Sequence, residues 1–386
     1  MMLGLLLARA GVPVLVLEKH ADFLRDFRGD TLHPSTLEVM HELGALDALL
    51  ALPHQRADRF ALQFEDRTMP VARLQGLDQH CPFIALMPQW DFLNFVAARA
   101  KRYPSFALRM EAEVTGLIEE GGRVVGLRAN TPEGPIEVHA DLVVGADGRH
   151  SIVREAAGLH VDALGVPLDV LWFRLLRRDD DPSEVMARVT RGRLAVMIDR
   201  GSYWQIAYLI RKGAYDAVKA RGIESFRAEV RSAIPFLGDR VETIEGWDDV
   251  KLLTVAIDRL NTWHRPGLLC IGDASHAMSP IGGVGINLAI QDAVATANIL
   301  APVLRAGPPS DDDLARVQSR REFPARATQR IQVMFQNKVI DPVLRGEVAR
   351  PPLAMRLIAK CPPLQRLAGR LIGVGVRPEH VHSPQA

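Results

Sequence analysis

Three short apolar runs in the chain are each followed at once by charged or glycine residues. They cover residues 12–17, 141–146 and 268–271. Continuous runs rich in branched apolar residues are typical of buried strands in parallel sheets. The carboxyl ends of parallel strands share one edge of a sheet, where α/β proteins bind ligands. We therefore expect Glu18, Asp147 and Asp273, which follow the three runs, to lie at a ligand-binding edge.

The remaining pattern predicts helices alternating with strands. Apolar residues recur at helical spacing over 1–10, 34–52, 90–102, 211–232 and 286–304, whereas 60–74, 108–138 and most of 159–247 show strand-like patterns. The glycines at 121–122 allow positive φ and predict a hairpin between two strands. A proline- and aspartate-rich loop at 307–313 separates a last, arginine-rich helical region. The chain thus has the order of elements of an α/β protein.

Composition narrows the class of protein without identifying it. The 386 residues are 48% hydrophobic and 24% charged, as in a soluble protein of two or three domains or of one large domain with insertions. The 47 basic and 46 acidic side chains give a net charge of +1, so we expect no affinity for nucleic acid or an anionic membrane. Three scattered cysteines form no CxxC pair, which favours the cytoplasm. No apolar run is long enough for an integral membrane span.

The segment that follows the third apolar run carries the strongest chemical signal. It combines Asp273 with a loop containing Pro280 and several glycines, and a long helix then begins. Glycines let the backbone approach a ligand closely, and a helix N-terminus offers unpaired N–H groups and a positive dipole. Such a loop favours a phosphate, or an electron-rich ring that becomes anionic on reduction. A plain connection between a strand and a helix would not need all of these residues.

Residues 142–154 and 271–287 resemble the paired DG and GD motifs of class A flavoprotein aromatic hydroxylases, the p-hydroxybenzoate hydroxylase-like family. Glu18, the stretch 28–35 and Gln89 follow in that family's order and spacing, and the resemblance covers about residues 1–305. It implies an FAD-dependent monooxygenase, monomeric or homodimeric, that hydroxylates an aromatic or phenolic small molecule. NADPH or NADH and O2 would be co-substrates, with a flavin hydroperoxide as intermediate. A reductase or dehydrogenase of the same fold, or a non-catalytic remnant, are the alternatives.

The resemblance also implies roles for residues along the adenosine half of FAD. Glu18 would bind the adenosine ribose, with Lys19 beside it. Arg28 would reach the flavin or its pyrophosphate, and Gln89 the ribityl or phosphate region. Val114 would contact the adenine through its backbone. The resemblance assigns no catalytic residue.

At the flavin end, the resemblance implies that Asp147 organises both the FAD pyrophosphate and the reduced nicotinamide. Asp273 would hold a ribityl hydroxyl group. The remaining expected cofactor-binding residues belong to the loop and the first turn of the following helix: Pro280, on the face where oxygen reacts, Gly283, and then Gly285, Ile286 and Asn287 at the pyrimidine edge of the isoalloxazine.

The family pattern opens with a strand, a GxGxxG turn and a helix, whose amides cradle the pyrophosphate. This sequence starts within that helix, so the Rossmann-like domain is expected to lack its first strand and to bind FAD poorly. Two explanations are a start codon placed too far downstream and a truncated product. The start-codon explanation is favoured because the sequence after residue 3 keeps the order and spacing of a working enzyme of the family.

We expect two interleaved domains and a helical tail. The FAD-binding domain would comprise 1–52, 82–158 and 250–307, and a mixed β-sheet substrate domain 53–81 and 159–249. The C-terminal helical region would cover 308–386.

No metal site is expected. The acidic runs 179–181 and 311–313 are interpreted as solvated loops, and His380 and His382 as part of a disordered tail. His276, in the loop after Asp273, is interpreted as structural. Aromatic and methionine side chains at alternating strand positions are expected either to line an aromatic pocket or to pack the sheet: Trp172, Phe173, Met197, Tyr203, Trp204 and Tyr208.

Overall fold

The computed structural model describes residues 1–24, 31–65, 67–182, 187–190, 192–347 and 351–386. The helices of these ranges are α1 (Met2–Arg9), α2 (Pro34–Glu42), α3 (Leu46–Leu50), α4 (Gln89–Ala100), α5 (Ile152–Ala156), α6 (Tyr215–Ala220), α7 (Ile223–Ala233), α8 (Gly285–Leu304), α9 (Asp311–Phe335), α10 (Asp341–Leu344), α11 (Leu353–Lys360) and α12 (Pro362–Gly373). A π-helical turn at 336–340 joins α9 to α10.

The strands are β1 (Val14–Leu17), β2 (Thr31–Leu32), β3 (Gln55–Ala57), β4 (Arg59–Phe64), β5 (Arg67–Arg73), β6 (Ile84–Leu86), β7 (Phe106–Arg109), β8 (Glu113–Glu120), β9 (Arg123–Thr131), β10 (Gly134–His139), β11 (Val143–Gly145), β12 (Val161–Ala163), β13 (Leu168–Leu176), β14 (Ala187–Thr190), β15 (Arg193–Asp199), β16 (Tyr203–Arg211), β17 (Lys251–Leu253), β18 (Asp258–Leu260), β19 (His264–Arg265) and β20 (Leu268–Cys270).

The three apolar runs form parallel strands, as the sequence predicts. β1 pairs in parallel with β7, and β11 pairs in parallel with β20. α1 packs tightly on β1 because Gly4 has no side chain: a Cβ there would lie 2.8 Å from Val16 Cγ2. β1 is less buried than its apolar run suggests, and Leu15 is exposed, because among the described strands β1 has a partner on one edge only.

A separate seven-stranded sheet has the order β17-β13-β16-β15-β14-β4-β5. On one face Phe173, Trp204 and Tyr208 pack against α7 and the turns after it. On the other face Trp172 belongs to a second cluster, which includes residues of α10 and against which Ile281 from the loop before α8 packs. Ordinary packing therefore accounts for most of the aromatic residues expected at a pocket.

α8 is the central helix of the core. Its apolar length, counted from Ile281 to Leu304, would suffice to cross a membrane, but 67% of the apolar window is buried inside the protein. Two of its neighbours are α1 and α9, which pack along it. Burial of this kind is that of a core helix in a water-soluble fold.

Three expectations about helices and loops were wrong. The pattern over 34–52 divides into α2 and α3 because Gly44, at φ +60°, ends the first helix. Residues 311–313 form the first turn of α9, where Ser310 caps the helix and acidic residues suit the positive dipole end. The tail is ordered at His380, whose Nδ1 lies 2.5 Å from Glu42 Oε1.

The acidic run 179–181 is not a solvated loop at its end. Asp181 is buried and forms an ion pair with Arg240 at 2.7 Å. Trp204 Nε1 donates to the same carboxylate. Burial alone would raise the pKa of Asp181, but these donors hold it at about 2. The partners come from distant parts of the chain, so the run itself gave no sign of them.

Candidate active site

The carboxyl end of β1 meets the strands β7 and β8. The backbone N–H of Glu18 donates to Arg109 O at 2.9 Å, and that of Ala112 donates to Glu18 O at 2.9 Å. The Glu18 carboxylate accepts from the backbone N–H of His20 at 3.0 Å, and Lys19 is exposed beside it. Val114 follows two residues after Ala112, on β8. The structure thus brings the backbone segments of Glu18 and Val114 together at one edge.

Of the other two residues that the resemblance names along this part of FAD, the structure describes Gln89. Gln89 is the first residue of α4 and follows β6, in which Leu86 pairs with Thr31. The strand that leads into α4 is therefore the one that pairs with β2 (Thr31–Leu32). Arg28 lies outside the described residues.

The loop after β11 is organised by its own aspartate. Asp147 Oδ1 accepts from Ser151 Oγ at 2.5 Å, and Oδ2 accepts from the Val153 N–H at 3.1 Å, so the carboxylate caps the start of α5. The same loop places Arg149 Nη2 3.9 Å from Asp273 Oδ2. The turns after β11 and β20, far apart in sequence, therefore meet. Beside them lies an open cavity of about 540 Å³ lined by Arg149, His150 and His160 among others.

The loop before α8 approaches its surroundings too closely for side chains. Gly283 has φ +63°, and a Cβ there would overlap Thr31 Oγ1. A Cβ on Gly285 would lie 3.9 Å from Asp273 Oδ1. The first amides of α8, at residues 285–287, have no intrahelical acceptor, as at every helix start. Pro280 begins this loop. Asp273 and these amides thus form a cradle that fits the ribityl chain and the ring edge of a flavin.

The side chain of Asn287 locks this cradle in place. Its Oδ1 accepts from the His33 backbone N–H at 2.9 Å and from Thr36 Oγ1 at 2.7 Å. Its Nδ2 donates to Thr31 O at 3.0 Å and to Gly283 O at 3.1 Å. Both the oxygen and the nitrogen of the Asn287 side-chain amide are therefore occupied by hydrogen bonds within the protein. Thr31 lies in the stretch 28–35 that the resemblance includes, although no role was expected of it, and Thr36 was not singled out in the sequence.

His33 is a second residue of the stretch 28–35 for which the sequence gave no role of its own. Its ring is buried, and its Nδ1 lies 2.8 Å from Ile372 O, near the end of α12. Burial lowers its pKa to about 4, although the hydrogen bond to Ile372 opposes the shift. His33 is therefore neutral, with Nδ1–H as the donor, and it connects α12 to the segment that holds Asn287.

A buried charge network anchors the turn after β20. Asp292 accepts from the Gly272 N–H at 3.0 Å, from His276 Nε2 at 2.6 Å and from Arg321 Nε at 2.9 Å. Burial would raise the pKa of Asp292, but His276 and Arg321 hold it below its usual range. Arg321 also pairs with Glu379 at 3.1 Å. His276 is structural here, and the network ties the turn that carries Asp273 to α9 and the C-terminal tail.

Trp172 has a buried polar atom within the apolar cluster next to the loop. Its side chain is buried among residues of the seven-stranded sheet, in the cluster that Ile281 also joins. Its indole Nε1 has no hydrogen-bond partner in the described parts of the chain. A buried donor without a partner is costly, and a ligand that accepts from it would recover that cost.

Carboxylates after three parallel strands, a glycine loop and the N-terminal amides of α8 are the features expected of an FAD-binding oxidoreductase. The sequence matches the family described as "FAD binding domain" over residues 1–331, so the chain belongs to that family. It is 32% identical over 374 residues to the 6-methylpretetramide 4-monooxygenase of Streptomyces rimosus, covering 96% of this chain and 88% of the relative. The expected enzyme class, an FAD-dependent monooxygenase, and the expected cofactor FAD are confirmed.

Solved structures show the same fold. The OxyS anhydrotetracycline hydroxylase of Streptomyces rimosus superposes with a TM-score of 0.76 at 22% identity, over 97% of this chain and 74% of that one. PqsL of P. aeruginosa, in complex with 2-aminobenzoylacetate, superposes with a TM-score of 0.75 at 21% identity, over 90% and 94%. The expected α/β fold with a helical C-terminal region is confirmed.

Proposed function

We propose that the chain hydroxylates an aromatic or phenolic small molecule with O2, using FAD that NADH or NADPH reduces. One observation carries the proposal: the cradle of Asp273 and the α8 amides adjoins an apolar face of the seven-stranded sheet through Ile281. A cofactor bound there would react next to a surface that excludes water. When bound, FAD supplies the redox chemistry that activates oxygen, and the residues of this chain position it and the substrate.

The geometry supports distinct roles for the residues of the site. Asp273 would accept from a ribityl hydroxyl, and the amides of residues 285–287 would donate to the pyrimidine edge, where negative charge develops on reduction. Arg149 and the loop of Asp147 would meet the pyrophosphate and the nicotinamide nucleotide. Glu18 would accept from the adenosine ribose. The roles of Lys19, Arg28, Gln89, Val114, Pro280 and Gly283 remain as the resemblance implies them.

A fused-ring phenol is the substrate class that we propose first. The relative at 32% identity is named for a 6-methylpretetramide substrate. The apolar face beside Ile281 would stack such a ring system, and Trp172 Nε1 would donate to one of its oxygen atoms. Binding would thereby satisfy an indole N–H that has no partner within the described chain.

We also propose the interleaved domain division that the sequence predicts, with one boundary moved. The seven-stranded sheet draws its strands from 59–73, 168–211 and 251–253. β17 (Lys251–Leu253) pairs with β13, so residues up to 253 would belong to the substrate domain. A cytoplasmic protein, monomeric or homodimeric, remains our prediction.

The test is oxygen incorporation by the chain supplied with excess FAD. We expect consumption of NADH or NADPH with a phenolic substrate and transfer of one ¹⁸O atom from ¹⁸O2 to the product, measured by mass spectrometry. Asp273→Ala should weaken FAD binding by about tenfold, the loss of one charge-assisted hydrogen bond, with a near-normal melting temperature. Product formation without O2 would instead indicate a reductase or dehydrogenase. Absence of any flavin binding would indicate a non-catalytic remnant.

A further inference from the structure

The last two helices present leucines to solvent in a regular pattern. In α11, Leu353 is 79% exposed and Leu357 is 62% exposed; in α12, Leu367 is 54% exposed and Leu371 is 41% exposed. Each pair is spaced by four residues, so its members lie on one face of their helix. We call residues 353–373 the leucine hairpin. Four outward leucines on two adjacent helices are more than the scattered apolar side chains of an ordinary surface.

The same hairpin carries only positive charge. Between residues 351 and 378 the sequence has five basic and no acidic residues, although the whole chain has a net charge of +1. The basic side chains on the two helices are exposed, and each lies within three positions of one of the leucines: Arg356, Lys360, Arg366 and Arg370. The net charge of the whole chain therefore conceals a local excess of positive charge in this segment.

The leucine hairpin packs closely against the rest of the protein, and these contacts determine which face of each helix points outward. Met355 is buried against the seven-stranded sheet. Gly369 touches strand β5 so closely that a Cβ would overlap Arg73 O. Gln365 Nε2, on α12, donates to Ile358 O at 3.2 Å and to Ala359 O at 3.0 Å, which ties the two helices together. The leucines therefore face outward because the opposite faces of both helices are already packed.

We propose that the leucine hairpin docks the protein on an anionic lipid bilayer. Leucines flanked by Lys and Arg on rigid amphipathic helices match the interface of such a bilayer: the leucines enter the acyl boundary and the cations meet the lipid phosphates. The long basic side chains can extend beside the leucines toward the headgroups. A second copy of the chain fits less well, because a symmetric contact through this face would place cations against cations. The proposal does not depend on the proposed hydroxylation.

The test measures binding of the FAD-supplied chain to vesicles, by co-sedimentation. Vesicles of phosphatidylcholine mixed with phosphatidylglycerol should bind the protein at low salt and release it at high salt, whereas phosphatidylcholine alone should bind it weakly. Arg356→Gln with Arg370→Gln should weaken binding about 25-fold, about fivefold for each charge. Leu357→Ser with Leu371→Ser should weaken it by about tenfold or more.

Matched controls lie on other parts of the surface. Leu176→Ser removes a leucine that is 58% exposed at the end of β13, and Arg305→Gln removes an exposed arginine after α8. Both should bind vesicles like the wild type. Equal binding to neutral and anionic vesicles, or no binding to either, would overturn the proposal, and this comparison needs no variant. A dimer that dissociates on Leu357→Ser would assign the hairpin to self-association instead.

Discussion

Replacing His33 by asparagine should remove a large part of the pH dependence of stability. The ring is 1% exposed, and burial lowers its pKa to about 4. Its Nδ1 lies 2.8 Å from Ile372 O, so the neutral form is the one that the fold holds. Asparagine places an N–H donor close to the position of Nδ1 and does not titrate.

The sign and the size of the effect follow from the two pKa values. In the unfolded chain His33 titrates near 6.5, and in the folded protein near 4. As the pH falls, the unfolded state therefore binds the proton first. The contribution of His33 to stability is fully present above about pH 6.5 and is lost as the pH falls toward about 4. Between about pH 7 and pH 5 the loss is about 2 kcal/mol.

The assay is urea unfolding, followed by tryptophan fluorescence at neutral pH and near pH 5. The difference in unfolding free energy between the two pH values should be about 2 kcal/mol smaller in His33→Asn than in the wild type. The carboxylates contribute equally to both proteins and cancel. His382→Asn, at an exposed position of the tail, is the matched control and should leave the difference unchanged. If the wild type and His33→Asn show the same pH dependence, the burial argument is wrong.

Three further predictions concern the site. Gly283→Ala should weaken FAD binding and lower the melting temperature. Gly282→Ala should cost only the strain of its positive φ, about 1 kcal/mol, because a Cβ there would meet Val284 Cγ1 at 3.6 Å, an ordinary contact. Equal FAD affinities of the two variants by titration would show that the contact with Thr31 is unimportant. Asp292→Asn should lower the free energy of unfolding in urea by about 3–5 kcal/mol, because it removes one of the carboxylates that pair with the fully buried Arg321. A decrease below about 1 kcal/mol would show that this ion pair does not stabilise the fold. Trp172→Phe should raise the KM for a phenolic substrate by about five- to tenfold at an unchanged melting temperature, and an unchanged KM would remove Trp172 from the substrate site.

Local sequence patterns were sufficient for the elements that carry the site. The apolar runs before Glu18, Asp147 and Asp273 became the parallel strands β1, β11 and β20. The hairpin at 121–122 and the long helix α8 also lie where predicted. These features depend on periodicity and on the backbone freedom of glycine, which are properties of neighbouring residues. The resemblance to flavoprotein hydroxylases rested on the same local segments.

Only the tertiary structure decided which polar groups are already used. The amide of Asn287 is occupied by Thr31, His33 and Thr36, which lie about 250 residues earlier in the chain. Asp181, which was expected in a solvated loop, is likewise paired with a distant residue, Arg240. The positive charges of the leucine hairpin are balanced by acidic residues elsewhere in the chain, but the hairpin itself has no acidic residue. Hydrogen bonding, burial and surface charge depend on which distant residues become neighbours, and that information has no periodic trace along the sequence.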